Sequence, residues 1–106
     1  MDYKILYLPI AEQDLQEIAE YLSNFYPSTL KKFIDNFDDN IRFLQTNPCL
    51  GTPYHQYRKL VLTGTDYLVF YKVDETESAV KIYRVLHGAR DSEIRKFKKG
   101  QAKGKG

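Results

Sequence analysis

Residues 57–73 read Tyr-Arg-Lys-Leu-Val-Leu-Thr-Gly-Thr-Asp-Tyr-Leu-Val-Phe-Tyr-Lys-Val. Two runs rich in β-branched and aromatic residues flank Thr63-Gly64-Thr65, a sequence suited to a turn, so the stretch predicts a β-hairpin of residues 57–62 and 66–73. Tyr67 through Tyr71 is apolar at consecutive positions, which fits an inner strand covered by helices on one side and partly covered on the other. A second turn, 74–78, leads into another strand at 79–86, and His87-Gly88 ends it. The C-terminal half is thereby an antiparallel meander of three strands.

Working outward toward the N-terminus, residues 48–56 hold the turn formers Gly51 and Pro53 and read as a loop. Before it come two amphipathic segments. Ala11, Leu15, Ile18, Leu22 and Phe25 step by four and three, with Gln13, Gln16, Glu17, Glu20 and Asn24 opposite, and predict a first helix from Pro9 to about Tyr26. Pro9 suits the first helical turn, and Glu12 and Asp14 face the positive end of its dipole. Pro27 stops this helix and Ser28 offers a cap for the next, whose inward stripe is Leu30, Phe33, Ile34, Phe37, Ile41 and Leu44, ending at Asn47-Pro48. Residues 3–8 alternate as a short first strand that joins the same sheet. The expected fold is α+β, ordered β-α-α-β-β-β, with an N-terminal helical hairpin packed on a mainly antiparallel four-stranded sheet.

The chain has 106 residues, 42% hydrophobic, which supports one core and one domain, taken as residues 1–97. Residues 98–106, with Ala102 as the one apolar residue, read as a basic disordered tail. No apolar run approaches the roughly 20 residues needed to cross a bilayer, and the start lacks a secretory layout, so a cytoplasmic protein is expected. Cys49 is the single cysteine, which excludes an internal disulfide, and with His55 and His87 it makes a poor zinc set. No metal or cofactor is expected. Residues 1–47 hold eight acids against four bases, whereas 48–106 hold six acids against twelve bases. That basic half would attract a polyanion or an acidic protein by salt-sensitive steering.

Ala11, Asp14-Leu15, Ile18 and Tyr21, then Asn47-Pro48 with Gly51 and Pro53, Tyr57-Arg58 and Leu60, Tyr67-Leu-Val-Phe-Tyr71, and Ile82-Tyr-Arg-Val-Leu-His87 occur in that order. This ordered set over residues 3–94 resembles the RelE/ParE superfamily of type II toxin–antitoxin toxins. The resemblance implies a cognate antitoxin that folds over the toxin and covers Arg58, Arg84 and Arg90, together with one of two toxic activities. ParE-like toxins inhibit DNA gyrase. RelE-like toxins are metal-free endonucleases that cut messenger RNA on the ribosome. The stretches Arg84-Val-Leu-His-Gly-Ala-Arg-Asp91 and Asn47-Pro-Cys-Leu-Gly-Thr-Pro53 look closer to ParE-like members.

Metal-free RNA cleavage needs a base, an acid and cations aimed at the phosphate. By the resemblance, Arg58 falls on one strand cation of the RelE set. The next is replaced by Leu60, an inner-strand arginine by Leu68, and the late arginine and tyrosine align with Ala89 and Arg95, Arg90 standing in if the register slips by one. A different nuclease arrangement would use His87 as base with Arg84, Arg58 and Arg90 as phosphate clamps. The plainer alternatives are a histidine that begins a turn and arginines on an exposed sheet face. Tyr57, Tyr67, Tyr71 and Tyr83 could stack on bases, but read as core or rim.

Overall fold

Two prolines divide the N-terminal third of the chain. Each forces the residue before it out of the helical region and itself occupies a first helical position, where a missing N–H costs nothing. Leu8 is extended (φ −73°, ψ 153°) ahead of Pro9, and Tyr26 (φ −143°, ψ 63°) is the single residue between the helices. The structure, a computed structural model, describes residues 2–88. In chain order these form β1 (Lys4–Tyr7), α1 (Pro9–Phe25), α2 (Pro27–Thr46), β2 (Thr52–Tyr54), β3 (Tyr57–Val61), β4 (Tyr67–Asp74) and β5 (Ala79–His87). The sheet order is β1-β5-β4-β3-β2, with β1 parallel to β5 and every other pair antiparallel.

The α+β fold with a helical hairpin on a meander is as expected, with three corrections. The sheet has five strands rather than four, because Thr52–Tyr54, read as loop, pairs with β3 at the sheet edge. A proline is tolerated on an edge strand, so Pro53 signals an edge here rather than a loop. The two-residue turn to β3 puts His55 at φ 57°, where glycine or asparagine would have announced a hairpin. Second, Ser28 does not cap α2: helix formation starts at Pro27 and no side chain bonds the N-terminus. Third, Phe25 and Ile34 leave the inward stripes, at 65% and 45% exposure. Phe25 lies instead against Tyr21, ring centroids 5.2 Å apart. The arm or helix expected at 89–97, the basic tail at 98–106 and Arg90 lie outside the described residues.

The core sits between the helical layer and one sheet face. Ala11, Ile18 and Leu22 of α1 and Phe33, Phe37, Ile41 and Leu44 of α2 meet Leu60, Val69, Tyr71, Val80, Ile82 and Val85 of the sheet. Val69, Tyr71 and Val73 alternate toward the helices, as a pleated strand requires. Ile82 and Val85 both reach this core although they are three residues apart. The register explains it: Tyr71 pairs with Ile82 but Phe70 pairs with Arg84, so Tyr83 is an extra residue in a β-bulge. The bulge resets which residues of the end of β5 face α1.

Four tyrosines resist ionisation. Burial raises the phenol pKa of Tyr7, Tyr54 and Tyr71, and the hydrogen bond that Tyr3 donates to Glu75 raises that of Tyr3. Groups whose proton is held more tightly in the fold contribute stability below the ordinary value near 10, and that stability is lost as pH rises through the folded value. Ultraviolet titration of the folded protein is expected to show part of the phenolate signal arriving at higher pH than in urea, together with falling stability across that interval.

Candidate functional site

Among the described residues, the last residues of β5 have a strand neighbour on one side only. β1 ends at Tyr7, opposite Ile82, while β5 runs on to His87, paired with β4 through Tyr67↔His87. Helix α1 packs alongside this end of β5 and supplies a carboxylate in place of a strand. Asp14, 8% exposed, accepts the N–H of Val85 at 3.0 Å and both arms of the Arg84 guanidinium, Nε at 2.8 Å and Nη2 at 2.9 Å. The two side chains are 17% and 9% exposed, so the pair is largely desolvated, and its fork geometry meets the demand that a buried charge be paired and hydrogen-bonded.

Between α1 and β5 a cleft of about 450 Å³ is lined by Ile10, Asp14, Glu17, Tyr21, Arg84 and His87, among others. His87 lies in a strand end rather than a turn. Its ring meets Tyr67 edge-on at 5.1 Å, and Nε2 lies 3.9 Å from Asp66. The cleft therefore brings together two of the residues expected of a nuclease site, His87 and Arg84.

Arg58 is elsewhere. On β3 it pairs across to Tyr71, and its Nη1 donates to the Gly51 carbonyl at 2.6 Å and, at 3.5 Å, toward that of Cys49. Tyr71 clamps the same loop: its hydroxyl donates to the Pro48 carbonyl and accepts the Gly51 N–H, both at 2.8 Å. Neither arginine is thus an ordinary charge on an exposed face. Tyr67 and Tyr71 belong to the core, whereas Tyr57 and Tyr83 form a half-buried edge-to-face pair beneath the Lys72 ammonium.

Sequence reading gave Asp14 a favourable place near a helix start and a place in the family motif, but no partner. A stronger signal was there: Asp14 is three residues after Ala11 and four before Ile18, on the inward stripe of α1. An acid in such a position requires a cationic partner.

Two helices laid on one face of a β1-β5-β4-β3-β2 sheet are consistent with the fold of the RelE/ParE toxins. The family model described as the ParE toxin of the type II toxin–antitoxin system, parDE, matches residues 5–92, and the chain belongs to this family. Among solved structures, the chromosomal ParDE system of P. aeruginosa is similar with a TM-score of 0.68 at 19% identity, covering 80% of this chain and 95% of that one. The RelBE2 toxin–antitoxin complex of Mycobacterium tuberculosis is similar with a TM-score of 0.58 at 22% identity, covering 82% and 99%. The intact RelBE complex of E. coli gives 0.52 at 11% identity, covering 83% and 99%. Among curated proteins no sequence matches significantly. No helix among the described residues is long and apolar enough to cross a membrane.

Proposed function

We propose that this toxin acts in the cytoplasm as an inhibitor of DNA gyrase and is neutralised by a cognate antitoxin that binds it directly. The observation that supports inhibition over nuclease chemistry is the engagement of Arg84. A buried carboxylate holds the guanidinium at 2.8 and 2.9 Å and neutralises its charge, so a phosphate would gain much less there than from an uncommitted arginine. Arg58 is likewise committed to loop carbonyls, on a strand that does not border the cleft holding His87. Membership in the ParE toxin family supports the same reading, and the antitoxins named in the similar ParDE and RelBE systems support a protein partner.

The second reading, a ribosome-dependent endonuclease using His87, Arg84, Arg58 and Arg90, draws on the presence of His87 and Arg84 in one cleft. Inducing the protein alone in bacteria, with RNA 5′ ends mapped and DNA damage followed, separates the two. Growth arrest with a DNA-damage response and intact transcripts is the expected result. Codon-phased cuts in translated messages that vanish in His87→Ala would establish the endonuclease instead.

A further inference from the structure

The sheet face opposite the helices carries one lysine on each of four adjacent strands, β1, β5, β4 and β3. Tyr71, Val73, Val80 and Ile82 point into the helical core, so the pleat turns Lys72 and Lys81 the other way. Lys4, next to the core-facing Ile5, and Lys59, which pairs with Phe70, share that face. The register sets the four on a diagonal: Lys4 stands level with Ala79, Lys81 pairs directly with Lys72, and Lys59 lies two residues further along, level with Phe70. Lys4 is exposed and the other three are half-buried. Like charges directly opposite on neighbouring strands are destabilising. Lys72 and Lys81 are nevertheless so placed, with Asp74 3.1 Å from the Lys81 ammonium and the Tyr57 and Tyr83 rings 5.1 and 5.3 Å from that of Lys72. Among the described residues Asp74 is the one acid in ion-pair contact with any of the four, so the stripe keeps an excess of positive charge. On the helical side, α1 carries Glu12, Asp14, Glu17 and Glu20 without a basic residue, and the acids and bases of α2 balance.

We propose that this lysine stripe binds the phosphate backbone of duplex DNA. An ammonium on a flexible stem is a compact point charge that suits a phosphate. Adjacent strands lie about 4.8 Å apart, so one lysine per strand offers successive cations to a single backbone crossing the sheet. The Tyr57 and Tyr83 rings engage each other edge-to-face and carry Lys72, whereas a single strand is held mainly by stacking its bases on aromatic faces. Cations alone hold a duplex by its backbone without reading its sequence. The acidic α1 side is repelled by the same polyanion, which turns the sheet face toward the DNA. This goes beyond gyrase inhibition, since it concerns the toxin's own contact with DNA and is measured without gyrase.

The test follows binding of the purified full chain to a short fluorescent duplex of mixed sequence across a series of salt concentrations, with a single-stranded RNA of equal length alongside. The duplex is expected to bind more tightly than the RNA, with the logarithm of affinity falling linearly with that of salt. Lys4→Gln, Lys59→Gln and Lys72→Gln should each weaken duplex binding and flatten the salt slope by about 1. Lys31→Gln and Lys32→Gln on α2 remove the same charge from the helical side and should change neither. Residues 98–106 are present in every variant, so their charge contributes equally. Lys72→Gln also relieves the opposed pair and should leave thermal stability at or above that of the wild type, which separates a lost contact from a lost fold. Wild-type affinity and slope in the three sheet variants would overturn the proposal, as would equal losses from the α2 lysines or tighter binding of RNA than of the duplex.

Discussion

Asp14→Ala is expected to lower unfolding stability by about 3–5 kcal/mol, the cost of removing one partner from a desolvated ion pair. The substitution strands the Arg84 guanidinium in a site where its side chain is 17% exposed, and it removes the acceptor of the Val85 N–H. Arg84→Ala leaves the opposite charge buried, on a carboxylate that still keeps the Val85 bond, and should cost somewhat less. The double variant should lose clearly less than the sum of the two, because the second deletion removes the charge that the first left unpaired. Urea denaturation of all four proteins measures this cycle. Additive losses would mean that the two side chains act independently. The functional consequence is indirect: a frayed end of β5 moves Val85, His87 and the wall of the cleft, so antitoxin affinity should fall with stability.

The parts of this molecule legible in its sequence are those set by periodicity. Ala11, Ile18 and Leu22, then Phe33, Phe37, Ile41 and Leu44, recur at helical spacing and are buried, and the run from Tyr67 to Tyr71 is an inner strand. What escaped is set by chemistry without a period. Pro53 serves equally in a loop and on an edge strand, and His55 adopts a left-handed conformation that its residue type does not advertise. The bulge at Tyr83 is similarly silent, since Ile82-Tyr-Arg-Val85 reads as a strand in either register, yet it decides which residues face α1. Of the candidate site, Arg84 and His87 could be named, but their separation from Arg58 could not. Strand neighbours and facing depend on a register fixed only when β3, β4 and β5 assemble. Asp14 was visible as a family-motif residue and as an acid on an apolar stripe, whereas its partner, 70 residues away, was not.

The second large effect centres on Tyr71, the residue at which core and loop are joined. Its side chain is fully buried, so Tyr71→Ala should cost about 3–5 kcal/mol through the cavity and the lost packing against the helices. Tyr71→Phe isolates the hydroxyl. It leaves the Gly51 N–H and the Pro48 carbonyl without their partner and should cost about 1–3 kcal/mol, with the loop from Pro48 to Gly51 loosened more than the core. Hydrogen exchange distinguishes the two: Tyr71→Phe should speed exchange at Gly51 while leaving Val69 and Val80 nearly as protected as in the wild type. Gly51→Ala attacks the same joint from the other side. A Cβ there would lie 2.8 Å from the Lys59 carbonyl oxygen and 2.9 Å from the Tyr71 hydroxyl, a contact that β3 backbone cannot relieve cheaply. It should therefore reproduce the loosened loop with Tyr71 intact. Arg58 depends on the same carbonyl of Gly51, so in either variant its guanidinium is released from the loop. If Arg58 is a latent phosphate ligand, these variants should gain affinity for RNA; if it serves only to fasten the loop, they should lose stability and gain nothing.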